Sequence, residues 1–238
     1  MRYAAYCGTM NIFDDMETAA KSLVANSNVD KIYFVLNGEP PRELPDIIQC
    51  IDFSGQEFFP DDGPNMKSKY TYMAMARIAL CYILPTEVDR VLSLDHDTFA
   101  LRDVSGIWDL PIDDCYLAAT PEWHRSKNGL QYCNFGVVLY NLDKMRDGKA
   151  NECIEVLNRR RFPWVEQCVG NYLCQGRICE MPATYNQNYW TDKGQTPDAA
   201  IIHYAGQAYD KWKDKQIPRI YRAMSWEQAL RKHKEIAK

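Results

Sequence analysis

The fold class is decided by the stretch Arg90-Val91-Leu92-Ser93-Leu94-Asp95-His96-Asp97, in which a short apolar run ends directly in two carboxylates. An apolar run of this length, bounded by polar residues, is typical of a buried strand. In open α/β sheets the ligand crevice lies beyond the carboxyl ends of the strands. The stretch therefore predicts a core strand over 90–94 with a functional site at its end.

The segments on either side add further apolar strands and amphipathic helices. The runs at 135–141 and 199–204 are apolar and also end in polar residues. Earlier in the chain the sequence predicts strands over 3–7, 31–36 and 47–53 and helices over 14–25 and 64–84. This order of elements indicates an α/β fold with a mostly parallel central sheet.

The chain contains no repeat, low-complexity segment or linker, so we expect one domain over residues 1–238. Near its end Ser225 is followed by Gln228, which is the spacing of a capping box. This predicts a basic C-terminal helix over 225–238. Its thin apolar stripe is more typical of a solvated helix than of a membrane anchor.

Composition limits the classes of function. The 238 residues carry a net charge of −4 and are 46% hydrophobic, which argues for a globular protein without a broad nucleic-acid face. No segment has the pattern of a signal peptide or a transmembrane span. The nine cysteines are scattered through apolar runs, which is typical of buried, reduced thiols. We therefore expect a cytoplasmic protein.

Asp95 and Asp97 form the first candidate site. In extended geometry, residues two apart point to the same side, so both carboxylates can bind one cation while His96 points away. His203, at the end of another apolar run, offers a nitrogen ligand, and the mixed set suits Mn²⁺ or Mg²⁺. The alternative is that the aspartates only cap the strand and that His203 is a core histidine.

Four motifs follow one another along the chain. They are Leu-Asp-His-Asp-Thr at 94–98, Asp-Val-Ser-Gly-Ile-Trp-Asp-Leu at 103–110, Cys-Asn-Phe-Gly-Val-Val-Leu-Tyr-Asn-Leu-Asp-Lys-Met-Arg at 133–146 and Ile-His-Tyr-Ala-Gly at 202–206. In this order, and over nearly the whole chain, they resemble the retaining glycosyltransferases of family eight. That family includes the glycogenins and bacterial lipopolysaccharide galactosyl- and glucosyltransferases.

The resemblance implies a GT-A fold, which is a Rossmann-like nucleotide-sugar-binding fold, and a UDP-sugar donor, with glucose or galactose as the hexose. It implies that Asp95, Asp97 and His203 hold Mn²⁺, with Asp95 also contacting the ribose. It further implies that the anomeric configuration is retained.

The remaining site residues are also carried over from the resemblance. Asn134 matches the asparagine that faces the donor sugar, Gln167 the glutamine near the anomeric carbon, and Glu166 an acid that contacts sugar hydroxyls. Cys168 departs from the family's second acid at the next position. The nucleotide-sugar-binding residues implied are Cys7, Gly8, Thr9, Asn11, Arg77, Asp95, His96, Gly206 and Lys211. The lysine follows the glycine at a longer spacing than is usual in the family, and Arg77 has the alternative of a helix-surface arginine.

The sequence therefore predicts a metal-dependent retaining glycosyltransferase. One alternative is a sugar-phosphate nucleotidyltransferase, but the segment around Gly8 lacks the glycine-rich loop and basic residues expected of that class. Another is a nucleotide-sugar-binding protein without turnover. The acceptor is left open among a glycan, a lipid-linked sugar, a protein hydroxyl and a modified nucleobase.

Overall fold

The computed structural model of the chain describes residues 1–68, 70–126, 130–193, 198–205 and 216–236. Its strands are β1 (Tyr3–Gly8), β2 (Lys31–Leu36), β3 (Ile48–Asp52), β4 (Arg90–Leu94), β5 (Thr98–Ala100), β6 (Leu117–Pro121), β7 (Cys133–Asn141), β8 (Ile178–Glu180) and β9 (Ile201–His203). Its α-helices are α1 (Phe13–Asn26), α2 (Thr71–Ala76), α3 (Leu80–Ile83), α4 (Leu142–Lys144), α5 (Ala150–Arg159), α6 (Val165–Leu173), α7 (Tyr189–Asp192), α8 (Gln216–Ala223) and α9 (Trp226–Ile236).

The central sheet has seven strands in the order β3-β2-β1-β4-β7-β6-β8. Only β7 runs antiparallel to its two neighbours, β4 and β6, and the other neighbouring pairs are parallel. The predicted α/β fold with a mostly parallel sheet is therefore confirmed. A second, two-stranded sheet pairs β5 with β9 in antiparallel orientation.

The core lies on both faces of the central sheet because successive strand residues point to opposite sides. Tyr6 packs edge-on against Phe34, which in turn contacts Phe13 of α1. On the other face, Ala5 belongs to a cluster that contains Met73 of α2 and side chains of α6. Helices thus cover both faces, as expected where a parallel sheet is buried.

The reversal of β7 corrects one expectation. The sequence suggests that the run at 135–141 ends at the same edge as β4, but Asn141 lies at the opposite edge, where its Nδ2 donates to the Ile112 carbonyl at 3.0 Å. The first residues of β7 lie beside the end of β4 instead, and Asp95 N donates to Gly136 O at 2.8 Å. Asn134 therefore reaches the site from the beginning of its strand.

The predicted helix over 64–84 is wrong in its extent. Residues 64–68 and 70 form turns and a bend instead of a helix. The Asn65 amide holds the end of α5 by donating to the carbonyls of Leu157 at 2.6 Å and Arg160 at 2.8 Å. Thr71 has a φ of 58°, which breaks any continuous helix before α2. Between α2 and α3, residues 77–79 bond to carbonyls three positions earlier, which tightens the chain into turns.

The C-terminal helix is confirmed as α9. Gln228 N donates to Ser225 Oγ at 3.2 Å, and Ser225 N donates to Gln228 Oε1 at 2.9 Å, so the capping box forms as predicted. Residues 237 and 238 of the predicted helix lie outside the described residues. Among the residues that are described, the helices are all too short or too polar to cross a membrane.

The cysteines correct a second expectation. Cys115, which precedes β6, forms a disulfide with Cys179 of β8, whereas the other seven cysteines are free. Disulfides persist mainly in oxidising compartments. The prediction of a cytoplasmic protein depends on all cysteines being reduced thiols. The disulfide shows that two of them are not, so the cysteines no longer support that prediction.

Candidate active site

A cavity of about 550 Å³ opens at the edge of the central sheet where β1 and β4 end and β7 begins. Cys7 and Gly8 of β1, Asp95 after β4 and Asn134 of β7 all line it. The cavity lies at the carboxyl ends of the parallel strands, as the sequence predicts for this class of sheet.

The segment that follows β4 is a turn rather than an extended strand. Thr98 N donates to the Asp95 carbonyl at 3.2 Å, and Thr98 Oγ1 donates to the same oxygen at 2.6 Å. Asp95, His96 and Asp97 consequently all line the cavity. The expectation that His96 points away, which assumes extended geometry, is wrong.

Asp95 and Asp97 meet His203 at one point in the cavity. His203 lies in β9 opposite Thr98, so the small sheet carries its imidazole to the turn after β4. Its Nε2 is 3.5 Å from Asp95 Oδ2 and 3.3 Å from Asp97 Oδ1, and one ligand atom from each residue lies within 4.8 Å of the others. Two carboxylates and an imidazole fit a Mn²⁺ or Mg²⁺ ion. Within the described part of the chain, no other three such side chains come this close.

The electrostatics of these three residues favour a bound cation. Partial burial opposes ionisation of Asp95, but the Arg77 guanidinium and His203 outweigh it and hold the pKa of Asp95 at about 2. Burial opposes the charged form of His203, yet attraction by Asp97 and Asp95 raises its pKa to about 9. The pocket therefore stabilises positive charge at this position.

Arg77 is buried, with 4% of its surface exposed, and is not the surface residue that the alternative interpretation describes. Its Nε donates to Ser93 Oγ at 2.9 Å, its Nη1 to Asp95 Oδ1 at 2.7 Å, and its Nη2 to the Phe135 carbonyl. Because every nitrogen is engaged, the guanidinium fixes Asp95 against β4 and β7.

The side-chain amides of Asn134 and Gln167, both predicted to face the sugar, donate to the same carboxylate, that of Glu122. Asn134 Nδ2 donates to Glu122 Oε1 at 3.1 Å, and Gln167 Nε2 donates to the same oxygen at 3.3 Å. Gln167 Oε1 accepts the Phe135 backbone N–H at 3.0 Å, which locks the amide orientation. The structure thus brings Asn134 and Gln167 together, and their contact with a sugar stays a prediction.

Glu166 lies beside them and is buried. Its Oε1 is 3.6 Å from Arg77 Nη1. Burial raises the pKa of Glu166 to about 7, although Arg77 acts in the opposite direction. A carboxyl group with such a pKa can donate a hydrogen bond as well as accept one near neutral pH.

The residues predicted to contact the nucleotide lie at the end of β1 and in the turn after it. Cys7, Gly8, Thr9 and Asn11 line the cavity. Burial raises the pKa of the Cys7 thiol to about 12, so it is a neutral wall residue at physiological pH. The other two predicted contacts, Gly206 and Lys211, lie outside the described residues.

Two functional candidates were missed by sequence reasoning. Glu122 is buried and accepts both amides, although the sequence gives only an acidic residue after the end of an apolar run. Asn186 is fully buried, and its Oδ1 lies 2.9 Å from His203 Nδ1. Its only signal in the sequence is the polar run Asn-Gln-Asn at 186–188 between two tyrosines.

Comparison with known sequences places most of the chain in one family. Residues 18–216 match the model described as glycosyl transferase family 8. Glycosyltransferase GlyE of Streptococcus pneumoniae serotype 4 is 26% identical over 260 residues, which cover 96% of this chain and 61% of GlyE. The chain thus spans less than two thirds of the length of this relative.

Solved structures with the same fold include two glycosyltransferases. GlyE of Streptococcus pneumoniae TIGR4 superposes with a TM-score of 0.71 at 20% identity, covering 99% of this chain and 64% of GlyE. The galactosyltransferase LgtC, solved with donor and acceptor sugar analogs, superposes with a TM-score of 0.64 at 20% identity, covering 99% of this chain and 96% of LgtC. The predicted GT-A fold is confirmed.

Proposed function

Since this chain belongs to glycosyl transferase family 8, we propose that it moves a hexose, glucose or galactose, from a UDP-sugar to an acceptor hydroxyl. In this proposal the reaction depends on a divalent metal and retains the anomeric configuration. Membership of the family favours this reaction over nucleotidyl transfer.

The observation that carries the proposal is the convergence of Asp95, Asp97 and His203 at the end of β4. Asp95 and Asp97 lie in the turn between β4 and β5, His203 lies in β9, and the three meet on the wall of one cavity. Asn134 and Gln167, the predicted sugar contacts, line the same cavity. The candidate metal ligands and the predicted sugar contacts therefore share one pocket, which supports the proposal.

Mn²⁺ or Mg²⁺ held by Asp95, Asp97 and His203 would supply Lewis-acid stabilisation of the diphosphate leaving group. The protein's own part is to hold the donor in place. Arg77 fixes the Asp95 carboxylate, and Cys7, Gly8, Thr9, Asn11 and His96 form the wall for the nucleotide. Gly206 and Lys211 stay predicted diphosphate contacts.

We propose that the anomeric configuration is retained by a front-face route, in which the acceptor hydroxyl approaches the anomeric carbon from the same face of the sugar that the diphosphate leaves. A double displacement needs a free carboxylate at the anomeric carbon. Gln167, the predicted neighbour of that carbon, has an amide already bonded to Phe135 and Glu122. Glu166 faces Arg77, and the Glu122 carboxylate accepts two amide N–H groups. In this route Glu166 binds sugar hydroxyls. The departing diphosphate takes the proton from the acceptor hydroxyl.

For the acceptor we propose a sugar hydroxyl. Trp164 and Trp190 line the cavity beside Glu122 and Arg125, so the pocket offers flat apolar rings next to charged groups. Such a wall suits a sugar ring, which has apolar C–H faces and polar edges. LgtC, with the same fold, was solved with an acceptor sugar analog.

The function is tested by measuring UDP release from a panel of nucleotide sugars with and without Mn²⁺. We expect release from UDP-glucose or UDP-galactose that stops in excess chelator. Asp97→Asn should lose this activity with its fold intact, because the change removes a charged ligand but little volume. Full turnover in chelator would refute metal dependence. An inverted product in NMR, or a stable hexose adduct on Glu166 or Glu122 in intact-protein mass spectrometry, would refute the front-face route.

A further inference from the structure

A chain of buried hydrogen bonds joins His203 to the sugar-facing amides through Asn186. His203 Nδ1 lies 2.9 Å from Asn186 Oδ1, and Asn186 Nδ2 donates to Asn134 Oδ1 at 3.1 Å. Asn134 Nδ2 then donates to Glu122, which also accepts from Gln167. Asn186 itself is 0% exposed, so water does not compete for these bonds.

The orientation of the Asn186 amide is fixed through Asn188, whose own amide is held by backbone N–H groups. Trp190 N and Thr191 N donate to Asn188 Oδ1 at 2.8 and 3.2 Å, which turns Asn188 Nδ2 towards Asn186. Asn188 Nδ2 donates to Asn186 Oδ1 at 3.0 Å, so the oxygen of Asn186 must face this side. His203 Nδ1 is then a donor to the same oxygen.

The consequence for His203 is chemical. Because Asn186 holds the proton on Nδ1, the proton that a bound cation displaces is the one on Nε2, and the lone pair left there points towards Asp95 and Asp97, which is the form that binds a metal. The other end of the Asn186 amide holds Asn134 at the predicted sugar contact. One side chain therefore sets the orientation of a candidate metal ligand and of a candidate sugar ligand.

We propose that Asn186 is a positioning residue that couples metal binding to nucleotide-sugar binding. The inference rests on the metal-dependent function proposed above. Partners that orient metal-bound histidines typically contribute 10- to 100-fold to metal affinity. Asn186 also donates to Asn134, the predicted sugar contact. Binding of the metal ion and binding of the nucleotide sugar therefore both depend on the position of this one side chain.

The first test measures Mn²⁺ alone, from the EPR signal of the free ion, with wild type and two variants. Asn186→Ala should bind Mn²⁺ about 10- to 100-fold more weakly, since His203 loses its acceptor. Asn186→Asp keeps an oxygen for Nδ1–H and should restore affinity to within about three-fold of wild type. At saturating Mn²⁺ it should bind UDP-glucose or UDP-galactose about ten-fold more weakly, because it cannot donate to Asn134.

Asn65→Ala is the matched control, since Asn65 is a buried asparagine that does not line the cavity and whose amide, within the described part of the chain, bonds to backbone groups. It should lower thermal stability without changing Mn²⁺ affinity. Wild type that binds no Mn²⁺ overturns the proposed function together with this inference. Wild type that binds Mn²⁺ with the same affinity as Asn186→Ala overturns this inference alone. If Asn186→Ala does not fold, an Asn186→Asp variant with unchanged affinity for both ligands is the result that refutes it.

Discussion

Arg77 shows how one side chain can join the two acidic parts of the site. Its guanidinium bonds to Asp95 on the metal side and faces Glu166 on the sugar side. A buried arginine without partners would be strongly unfavourable, and here the two carboxylates and the Phe135 carbonyl supply them. Arg77 lowers the pKa of both acids, but burial outweighs it only at Glu166, so the pKa of Asp95 is about 2 and that of Glu166 is about 7.

The raised pKa of Glu166 predicts a pH dependence of stability. Burial raises this pKa from 4.5 to about 7, so folding favours the neutral form. The contribution is fully present below about pH 4.5 and is lost as the pH rises through about 7. Wild type should therefore lose stability relative to Glu166→Gln over this range, by at most about 3 kcal/mol.

The measurement is the free energy of unfolding of the metal-free protein in urea at several pH values. Taking the difference between wild type and Glu166→Gln removes the titration of other groups. A difference that does not change between pH 4.5 and pH 8 would mean that Glu166 titrates normally in the folded protein.

At the scale of elements, the beginning of β7 must leave space for the imidazole of β9. A Cβ atom on Gly136 would lie 1.9 Å from His203 Cε1, so any side chain here displaces the ring. We expect Gly136→Ala to weaken Mn²⁺ binding at least about ten-fold, and overpacking to cost about 1–3 kcal/mol of stability. Isothermal titration with Mn²⁺ and urea unfolding measure the two effects.

Gly55→Ala is the control for this variant. A Cβ on Gly55 meets nothing within 4 Å, and its φ is not in the left-handed range. Its stability should stay within about 0.5 kcal/mol of wild type, and its Mn²⁺ affinity should be unchanged. Equal Mn²⁺ affinities for both glycine variants would show that His203 is not a ligand.

The disulfide between Cys115 and Cys179 predicts a thiol count. Alkylation of the denatured, unreduced protein should modify seven cysteines and leave this pair untouched. Reduction before alkylation should allow all nine to be modified. Because the pair closes a loop with a sequence separation of 64, Cys115→Ala should lower the stability of the oxidised protein by roughly 2–4 kcal/mol.

Mass spectrometry of the alkylated chain gives the count, and Cys50→Ala serves as a control because Cys50 is a half-buried free thiol. Nine modified cysteines before reduction would show that the disulfide does not form in the purified protein.

The elements also show what the sequence could predict. The run 90–94 matches β4 because its apolar residues are buried on both faces of a parallel sheet, and its carboxylates follow directly. The direction of β7 could not be read from its own residues, since an apolar run looks the same in either direction. Pairing with β4 decides it, and so decides that Asn134 rather than Asn141 reaches the site. Glu122 and Asn186 gain meaning only from partners that are distant in the sequence.

At the scale of the whole molecule, the candidate metal site links the two sheets. Asp95 follows a strand of the central sheet, and His203 belongs to the small one. A cation bound to both should therefore stabilise the entire fold. At a Mn²⁺ concentration of about 100 times its Kd, the free energy of unfolding should rise by about 2.7 kcal/mol.

Calorimetry with Mn²⁺ and with chelator measures this gain, and hydrogen exchange shows where it acts. Protection should increase in β9 as well as in the turn after β4. Asp97→Asn is the control and should show little gain. If Mn²⁺ protects only the turn after β4, the two sheets are not joined through the ion.

The residues that line the pocket are contributed by segments that extend from Cys7 to His203, so the pocket brings together parts of the chain that are far apart in the sequence. Contacts between such distant segments form slowly, because the chain must close large loops before they become favourable. During refolding, the ability to bind Mn²⁺ should therefore develop in the slowest phase, after the helical signal in circular dichroism has recovered. If the proposed function holds, a newly made chain would acquire it only at the end of folding, and partly folded molecules would neither bind the proposed donor nor hydrolyse it wastefully.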